Sequence, residues 1–357
     1  MQKYFRTIEK FLWIHYIKDM EKEISNIIGP EELLGCEIDG CRLDSILGYG
    51  SYGVVYLARH LMMDRLFAIK ILQEEFSSDK AAVENFFREC RTAAKLEHPN
   101  VVQAIKAGRN ADGVCYFVME YVDGSSIEDI RINSPERLSL EFLLDISIQL
   151  ADALDYAWNT RQIIHRDIKP GNLLVSRVEG KLKLADLGLA GAGVSPDGDI
   201  VATPLYMAPE VAMGLGSREP VSDVYSFGVM FYELVSGVPP FSGSVEELQR
   251  AHVEDLPPPL FSVNPDLDPE LASFIDSMLA KDPAERPGSW KEIKERFMLF
   301  KQRLFAPERF VHQELTAEMC EAVTADSTQG RKTELWYIGI AAALVLLLGI
   351  IAAFLVL

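Results

Sequence analysis

The chain has 357 residues, a hydrophobic fraction of 48% and a formal net charge of −18, which gives room for one large domain or two of average size around a sizeable core. That charge excludes general nucleic-acid binding, which needs a basic surface, and docking onto anionic lipid by bulk charge. The five cysteines at 36, 41, 90, 115 and 320 are odd in number and scattered, so they do not read as a disulfide framework. Cys36 and Cys41 lack the clustered partners of a zinc site, and a reducing compartment is expected.

Residues 1 to about 35 repeat apolar side chains near a helical period (Phe5, Ile8, Leu12, Ile17, Met20, Ile24, Ile28) until Gly29-Pro30 stops them. His15 and flanking charges exclude a secretory signal. This helix is expected to pack on the next domain or on a partner. Trp13 and Tyr16 widen its apolar face toward membrane-surface contact, which its acidic residues oppose. From Cys41 the pattern changes to strands. Leu47 to Tyr56 carries Gly48, Gly50 and Gly53, spaced so that backbone N–H groups can approach a phosphate without Cβ interference. Such glycines also mark dinucleotide-binding turns, but those lead into a helix. Here Val54-Val55-Tyr56-Leu57 follows, a β-branched and aromatic run that reads as a second strand, and this excludes a dinucleotide-dependent oxidoreductase. A third strand, Leu66-Phe-Ala-Ile-Lys70, ends in a lysine. A helix follows from about Asp79 to Leu96 with Val83, Phe86, Cys90 and Ala93 as its stripe. Glu89 lies beside that stripe, and a buried glutamate needs a partner, for which Lys70 is the evident candidate. His98-Pro99-Asn100 ends this segment, Val101-Val102 reads as the start of a strand, and Tyr116 to Val122 as a buried one. Leu140 to Arg161 has helical periodicity.

The stretch from His165 to Asn172 reads His-Arg-Asp-Ile-Lys-Pro-Gly-Asn, and Asp186 follows fourteen residues later in Ala-Asp-Leu-Gly. An aspartate can orient and deprotonate a hydroxyl, a lysine can neutralise phosphate oxygens, and an asparagine with an aspartate offers hard oxygen ligands suited to Mg²⁺. These are the parts of a phosphoryl-transfer site. The loop resembles the catalytic loop of protein kinases, Asp186-Leu187-Gly188 resembles their metal motif, and the glycine loop resembles their phosphate-covering loop. About 260 residues, from Leu43 to Leu304, resemble the eukaryotic-like Ser/Thr protein kinases of bacteria.

The resemblance implies an α+β, bilobal kinase fold over 41–305, with a β-rich N-lobe (41–121) and a helical C-lobe (122–305), and the apolar period before it makes 1–40 a helical extension. The resemblance also implies ATP and Mg²⁺ as cofactors and protein hydroxyls as acceptors. Asp167 would be the base, and Lys169 would stabilise the transferred phosphoryl and favour Ser/Thr acceptors. Lys70 paired with Glu89 would order the phosphates, and Asn172 and Asp186 would hold the metal. Val55, Ala68 and Leu174 would sandwich the adenine, with Met119 flanking it and the backbone of Glu120 and Val122 reading its edge. Thr203 would contact the base and the acceptor, Asp223 would brace the catalytic loop, and Glu210 of Ala208-Pro209-Glu210 would pair with Arg286. Three positions depart from the pattern. Leu187 replaces a phenylalanine, and Ala202 replaces a glycine. Asp199 stands four residues before Thr203, where a phosphosite commonly lies. Asp199 is expected to pair Arg166 permanently, so that no activation-loop phosphate is needed.

Residues 306–335 are polar and lightly patterned and read as a linker. The twenty residues from Ile338 to Leu357 carry no charge, and a helix of that length spans a bilayer core of about 30 Å. With Trp336 and Tyr337 at its edge and Arg331 and Lys332 before it, residues 336–357 read as a single-pass anchor that keeps the kinase domain cytoplasmic. Gly339 and Ala343 have the small-xxx-small spacing of paired membrane helices, so a homodimer through this helix or the kinase domain is an expectation. The alternative to a kinase is a pseudokinase scaffold. Such proteins typically lose the base, the strand lysine or the metal aspartate, all of which are present here.

Overall fold

A computed structural model describes residues 30–50, 52–186, 203–215 and 219–306. The helix expected before Pro30, the departures Leu187, Asp199 and Ala202, and the expected membrane span lie outside the described residues. Among the described residues, no helix is long and apolar enough to cross a membrane. The chain divides into two units, 1–298 and 299–357. In the second, only the end of the last helix is described.

A six-stranded antiparallel sheet forms the N-lobe. Its strands are β1 (Glu37–Ile38), β2 (Cys41–Tyr49), β3 (Gly53–His60), β4 (Arg65–Leu72), β5 (Ala104–Arg109) and β6 (Cys115–Glu120), in the order β1-β2-β3-β4-β6-β5. The period of two along β4 divides its side chains between two cores. Phe67, Ile69 and Ile71 face a cluster with Leu43, Val54, Tyr56 and Val118. Ala68 and Leu72 face a second cluster with Phe86, Cys90, Phe117 and Met119. Lys70 falls on the second face, between Val55 of β3 and Phe117 of β6 in the register. That face is covered by helix α1 (Lys80–Ala93), whose N-terminus is capped by the Asp79 side chain accepting from the Ala81 N–H at 2.8 Å.

Two expectations need correction. The stretch 30–40 is not helical. Pro30–Leu33 is one 3-10 turn, and Glu37–Ile38 pairs with β2 through a turn in which Asp39 (φ 54°) and Gly40 (φ 75°) both take left-handed backbone. Tyr56 ties this segment down, its hydroxyl donating to the Pro30 carbonyl at 2.8 Å. Val101 and Val102 also do not open a strand. Val101 makes one parallel bridge to Leu184, and the strand begins at Ala104. Both valines are buried in the second cluster, so burial rather than pairing explains their apolar character.

The C-lobe opens with a small sheet of β7 (Gly124–Ser126), β8 (Leu173–Ser176) and β9 (Leu182–Leu184). Its main helices are α2 (Ile127–Asn133), α3 (Leu140–Arg161), α4 (Val221–Ser236), α5 (Val245–Glu254), α6 (Pro269–Met278) and α7 (Trp290–Phe305). The bounds of α3 match the periodicity. Ser139 caps its start and Gln162, at φ 55°, ends it. Helix α4 is buried all round from Ser222 to Glu233. At Gly228 a Cβ would lie 2.6 Å from Met278 Cβ, so only glycine lets α4 and α6 approach this closely.

Candidate active site

The site is assembled from segments that the two sheets and α4 hold in place. Asp223, 2% exposed on α4, accepts the His165 and Arg166 amides on its two carboxylate oxygens, each at 2.7 Å. Those bonds hold Arg166 at φ 70°, a left-handed conformation that a side chain takes at a cost of about 1–2 kcal/mol. Burial pushes the Asp223 carboxyl up, while His165 and the two amides pull it down. The His165 ring, 1% exposed, faces the Ala185 carbonyl with Nε2 at 3.1 Å, and a carbonyl can only accept, so Nε2 carries the proton. Nδ1 then accepts from the Asp167 amide at 3.3 Å. One imidazole therefore links the catalytic loop to the residue preceding Asp186.

Asp167 sits at the centre. Its Oδ2 receives Lys169 Nζ at 2.7 Å and Asn172 Nδ2 at 2.9 Å, and its Oδ1 receives the Thr203 hydroxyl at 2.9 Å. Lys169 also donates to Thr203 Oγ1 at 3.0 Å. The Asn172 amino group makes a second bond to the Asp167 carbonyl at 2.7 Å. Its Oδ1 is then the oxygen it can offer to a cation. The Asn172 carbonyl accepts the Ala185 N–H at 2.9 Å, which sets Asp186 beside it.

Lys70 meets Glu89 at 2.7 Å and Asp186 at 3.4 Å. Burial alone would lower the Lys70 ammonium, but the Asp186 and Glu89 carboxylates hold it above its usual range. The Lys70 charge in turn holds the Asp186 carboxyl below the usual range. Burial raises Glu89 against the pull of Lys70.

The residues expected around the adenine lie together. Ala68 and Met119 are buried in the second core, with Val55, Val122 and Leu174 packed against it. Gly50 closes the loop between β2 and β3, its N–H donating to the Gly53 carbonyl at 2.8 Å. Gly53 is needed for a reason the motif did not suggest, since a Cβ there would lie 2.5 Å from the Ile71 carbonyl oxygen of β4. The Glu120 side chain accepts the Gln103 amide and Lys183 Nζ, at 2.8 and 2.7 Å, and so joins the end of β6 to β9. Glu210 and Arg286 form a two-pronged pair at 2.8 and 2.9 Å.

Sequence reasoning missed two supports of the loop that carries Thr203. Tyr206 donates to Glu233 of α4 at 2.7 Å, and Glu233 also faces Arg131 of α2 at 3.5 Å. His252 of α5 reaches the Leu205 carbonyl at 3.1 Å. Neither pair has a spacing that betrays it, because its members come together only through the tertiary fold.

The model of the protein kinase domain family matches residues 41–298. The serine/threonine-protein kinase PknA of Mycobacterium tuberculosis is 38% identical over 254 residues, covering 69% of this chain and 57% of the relative. The serine/threonine-protein kinase PrkC of Bacillus subtilis is 34% identical over 261 residues, covering 71% and 39%. The chain thus spans about half the length of these curated relatives or less. The crystal structure of the Mycobacterium tuberculosis PknI kinase domain aligns with a TM-score of 0.58 at 29% identity, covering 74% of this chain and 97% of that one. With a bilobal fold, an assembled catalytic loop and a family match over most of its length, the chain belongs to the protein kinase domain family.

Proposed function

We propose that the protein is a serine/threonine kinase that transfers the γ-phosphoryl group of ATP to protein hydroxyls and is held at the membrane by residues 336–357. The observation that carries this reading is the convergence of Lys169, Asn172 and Thr203 on Asp167, with Lys70, Glu89 and Asp186 alongside. Asp167 orients the acceptor hydroxyl and takes its proton, at the place where Thr203 now donates. Lys169 neutralises charge on the phosphoryl oxygens, and Lys70, fixed by Glu89, orders the phosphates of the nucleotide. Asn172 and Asp186 are a hard oxygen pair, and Lys70 keeps the Asp186 carboxyl ionised, so the donor set fits Mg²⁺. When bound, Mg²⁺ would supply positive charge against the phosphates. Ser/Thr selectivity rests on Lys169 and on the similarity to bacterial Ser/Thr kinases.

Asp199 is read as a built-in partner for Arg166. Burial lowers the Arg166 guanidinium, Asp223 offsets part of that, and the Arg88 charge on α1 adds to the lowering, so a carboxylate from Asp199 would join Asp223 against two neighbouring cations. The anchor reading is supported by the uncharged run 338–357, the aromatic pair before it and the basic pair before that.

The test is phosphate transfer from Mg·ATP to a generic acceptor protein by the full chain in detergent, beside Asp167→Asn, with membrane sedimentation of the full chain and of residues 1–335. Phosphoserine or phosphothreonine in the wild type alone, and sedimentation lost on truncation, are expected. Nucleotide binding without transfer would favour a scaffold, and a truncated chain that still sediments with membranes would remove the anchor.

A further inference from the structure

The loop 203–206 presents Thr203 to the base, yet only a short 3-10 turn, Pro204–Tyr206, supports it locally. Its position depends on outside bonds. One runs from the Tyr206 hydroxyl to Glu233. The other reaches the Leu205 carbonyl from His252 on α5, and that histidine is 0% exposed.

We infer that His252 is a positioning residue for protein acceptors, hanging the 203–206 loop from α5 so that Thr203 stays on Asp167. The inference rests on the kinase reading above.

The bonding fixes the state of the ring. The Leu205 carbonyl can only accept, so Nε2 carries a proton. Nδ1 lies 2.9 Å from the Tyr225 hydroxyl, which donates to it when the ring is neutral. The charged groups around it favour that neutral form. Lys281 lies next to its backbone, and Arg286 stacks on Tyr225 with its guanidinium 4.9 Å from the ring centroid. Burial, with Lys281 adding to it, brings the imidazole down to about 4. The ring therefore works as a fixed donor at neutral pH.

The ring's own placement is also pinned. Phe241 and Tyr225 pack edge-on against it at 5.1 and 5.6 Å. Lys281 Nζ donates to the Ala251 and His252 carbonyls at 3.1 and 2.7 Å, holding the last turn of α5. Nothing in the packing asks for an imidazole. Leu248, Ala251 and Phe241 make this an apolar cluster, with Leu205 packed against it. Leucine would fill the same space without the cost of burying a polar ring. What histidine adds is the bond to the loop, together with an acceptor for the buried Tyr225 hydroxyl. Tyr225 lies two residues beyond Asp223 on α4, so one turn of that helix serves both the catalytic loop and this clamp.

The test compares His252→Leu, His252→Gln and Tyr225→Phe in the full chain in detergent. The readouts are kcat and KM for a generic acceptor protein, affinity for a fluorescent Mg·ADP analogue, and hydrogen exchange of the Tyr206 and Met207 amides. Both amides bond within the loop, to the Thr203 and Pro204 carbonyls. In His252→Leu, kcat/KM for the protein should fall about tenfold, the size of one lost buried hydrogen bond, with nucleotide affinity held within about twofold. Tyr206 and Met207 should exchange faster. His252→Gln, which keeps a donor toward Leu205, should recover most of both, and Tyr225→Phe should fall between. The inference is overturned if loop exchange does not change, if nucleotide affinity falls in step with transfer, or if glutamine is no better than leucine. A wild type that transfers no phosphate would remove the kinase reading, and the exchange data would still decide whether His252 holds the loop.

Discussion

Glu210→Ala should destabilise the kinase domain by about 3–5 kcal/mol, the range for removing one partner of a buried ion pair. The guanidinium of Arg286 is fully buried and uses all five of its donors. Two go to Glu210, and three go to the carbonyls of Ala280, Val221 and Lys281 at 2.8, 2.9 and 3.2 Å. The three carbonyls keep the cation in place when the carboxylate is gone, so it stays buried with two donors and its charge unmatched. Ser222 also loses the acceptor it reaches at 2.6 Å. Urea unfolding followed by tryptophan fluorescence measures the loss, with buried Trp290 among the reporters. A double variant, Glu210→Leu with Arg286→Met, should recover much of it, because two apolar groups need no pairing. The pair also makes a pH prediction. Burial raises the Glu210 carboxyl, but Arg286 and Ser222 outweigh it, and the net folded value is lowered. A lowered carboxylate stabilises above its unfolded pKa of about 4.3, and that stabilisation is lost as pH falls through the folded value. Wild type should therefore lose an increment of stability below about pH 4 that Glu210→Ala has already lost. A single-variant cost under about 1 kcal/mol, or identical acid profiles, would refute the reasoning.

Two further outcomes follow from particular contacts. Gly228→Ala places a Cβ against Met278 Cβ and Leu279 Cδ1, at 2.6 and 2.7 Å, and the overpacking should cost about 1–3 kcal/mol. An unchanged melting temperature would show that α4 and α6 separate freely there. Asp199→Ala should lower transfer to a generic acceptor several-fold, less than the loss of a phosphate would, since a carboxylate carries one charge against nearly two. Unchanged transfer would end the reading of Asp199 as the partner of Arg166.

What the sequence made legible was periodic or adjacent. The bounds of α3 follow from its apolar repeat and its terminal residues. Glu89 could be assigned an inward position because it shares a face with Phe86, and its partner followed from the cost of burying it. The first hairpin was legible but unread. Asp39-Gly40 is a strong two-residue turn signal, obscured by the helical pattern assigned to the residues before it. Val101-Val102 misled because a β-branched pair reads alike whether it pairs in a sheet or fills a core. His252, Tyr206 and Glu233 carried no signal. Each is a single polar residue in an ordinary helix or turn, and its significance comes from a partner 27 to 47 residues away.

Helix α4 acts as a ruler for the site. Asp223 near its start sets the height of the catalytic loop, and Glu233 ten residues on sets that of the acceptor loop. At 1.5 Å per residue these marks stand about 15 Å apart along one rod. The offset between the two supports is therefore graduated in whole residues. One residue inserted between the marks would move the second by about 1.5 Å and swing it about 100° around the axis. A change in the length of this helix is therefore felt at one loop or the other, whichever residue is added.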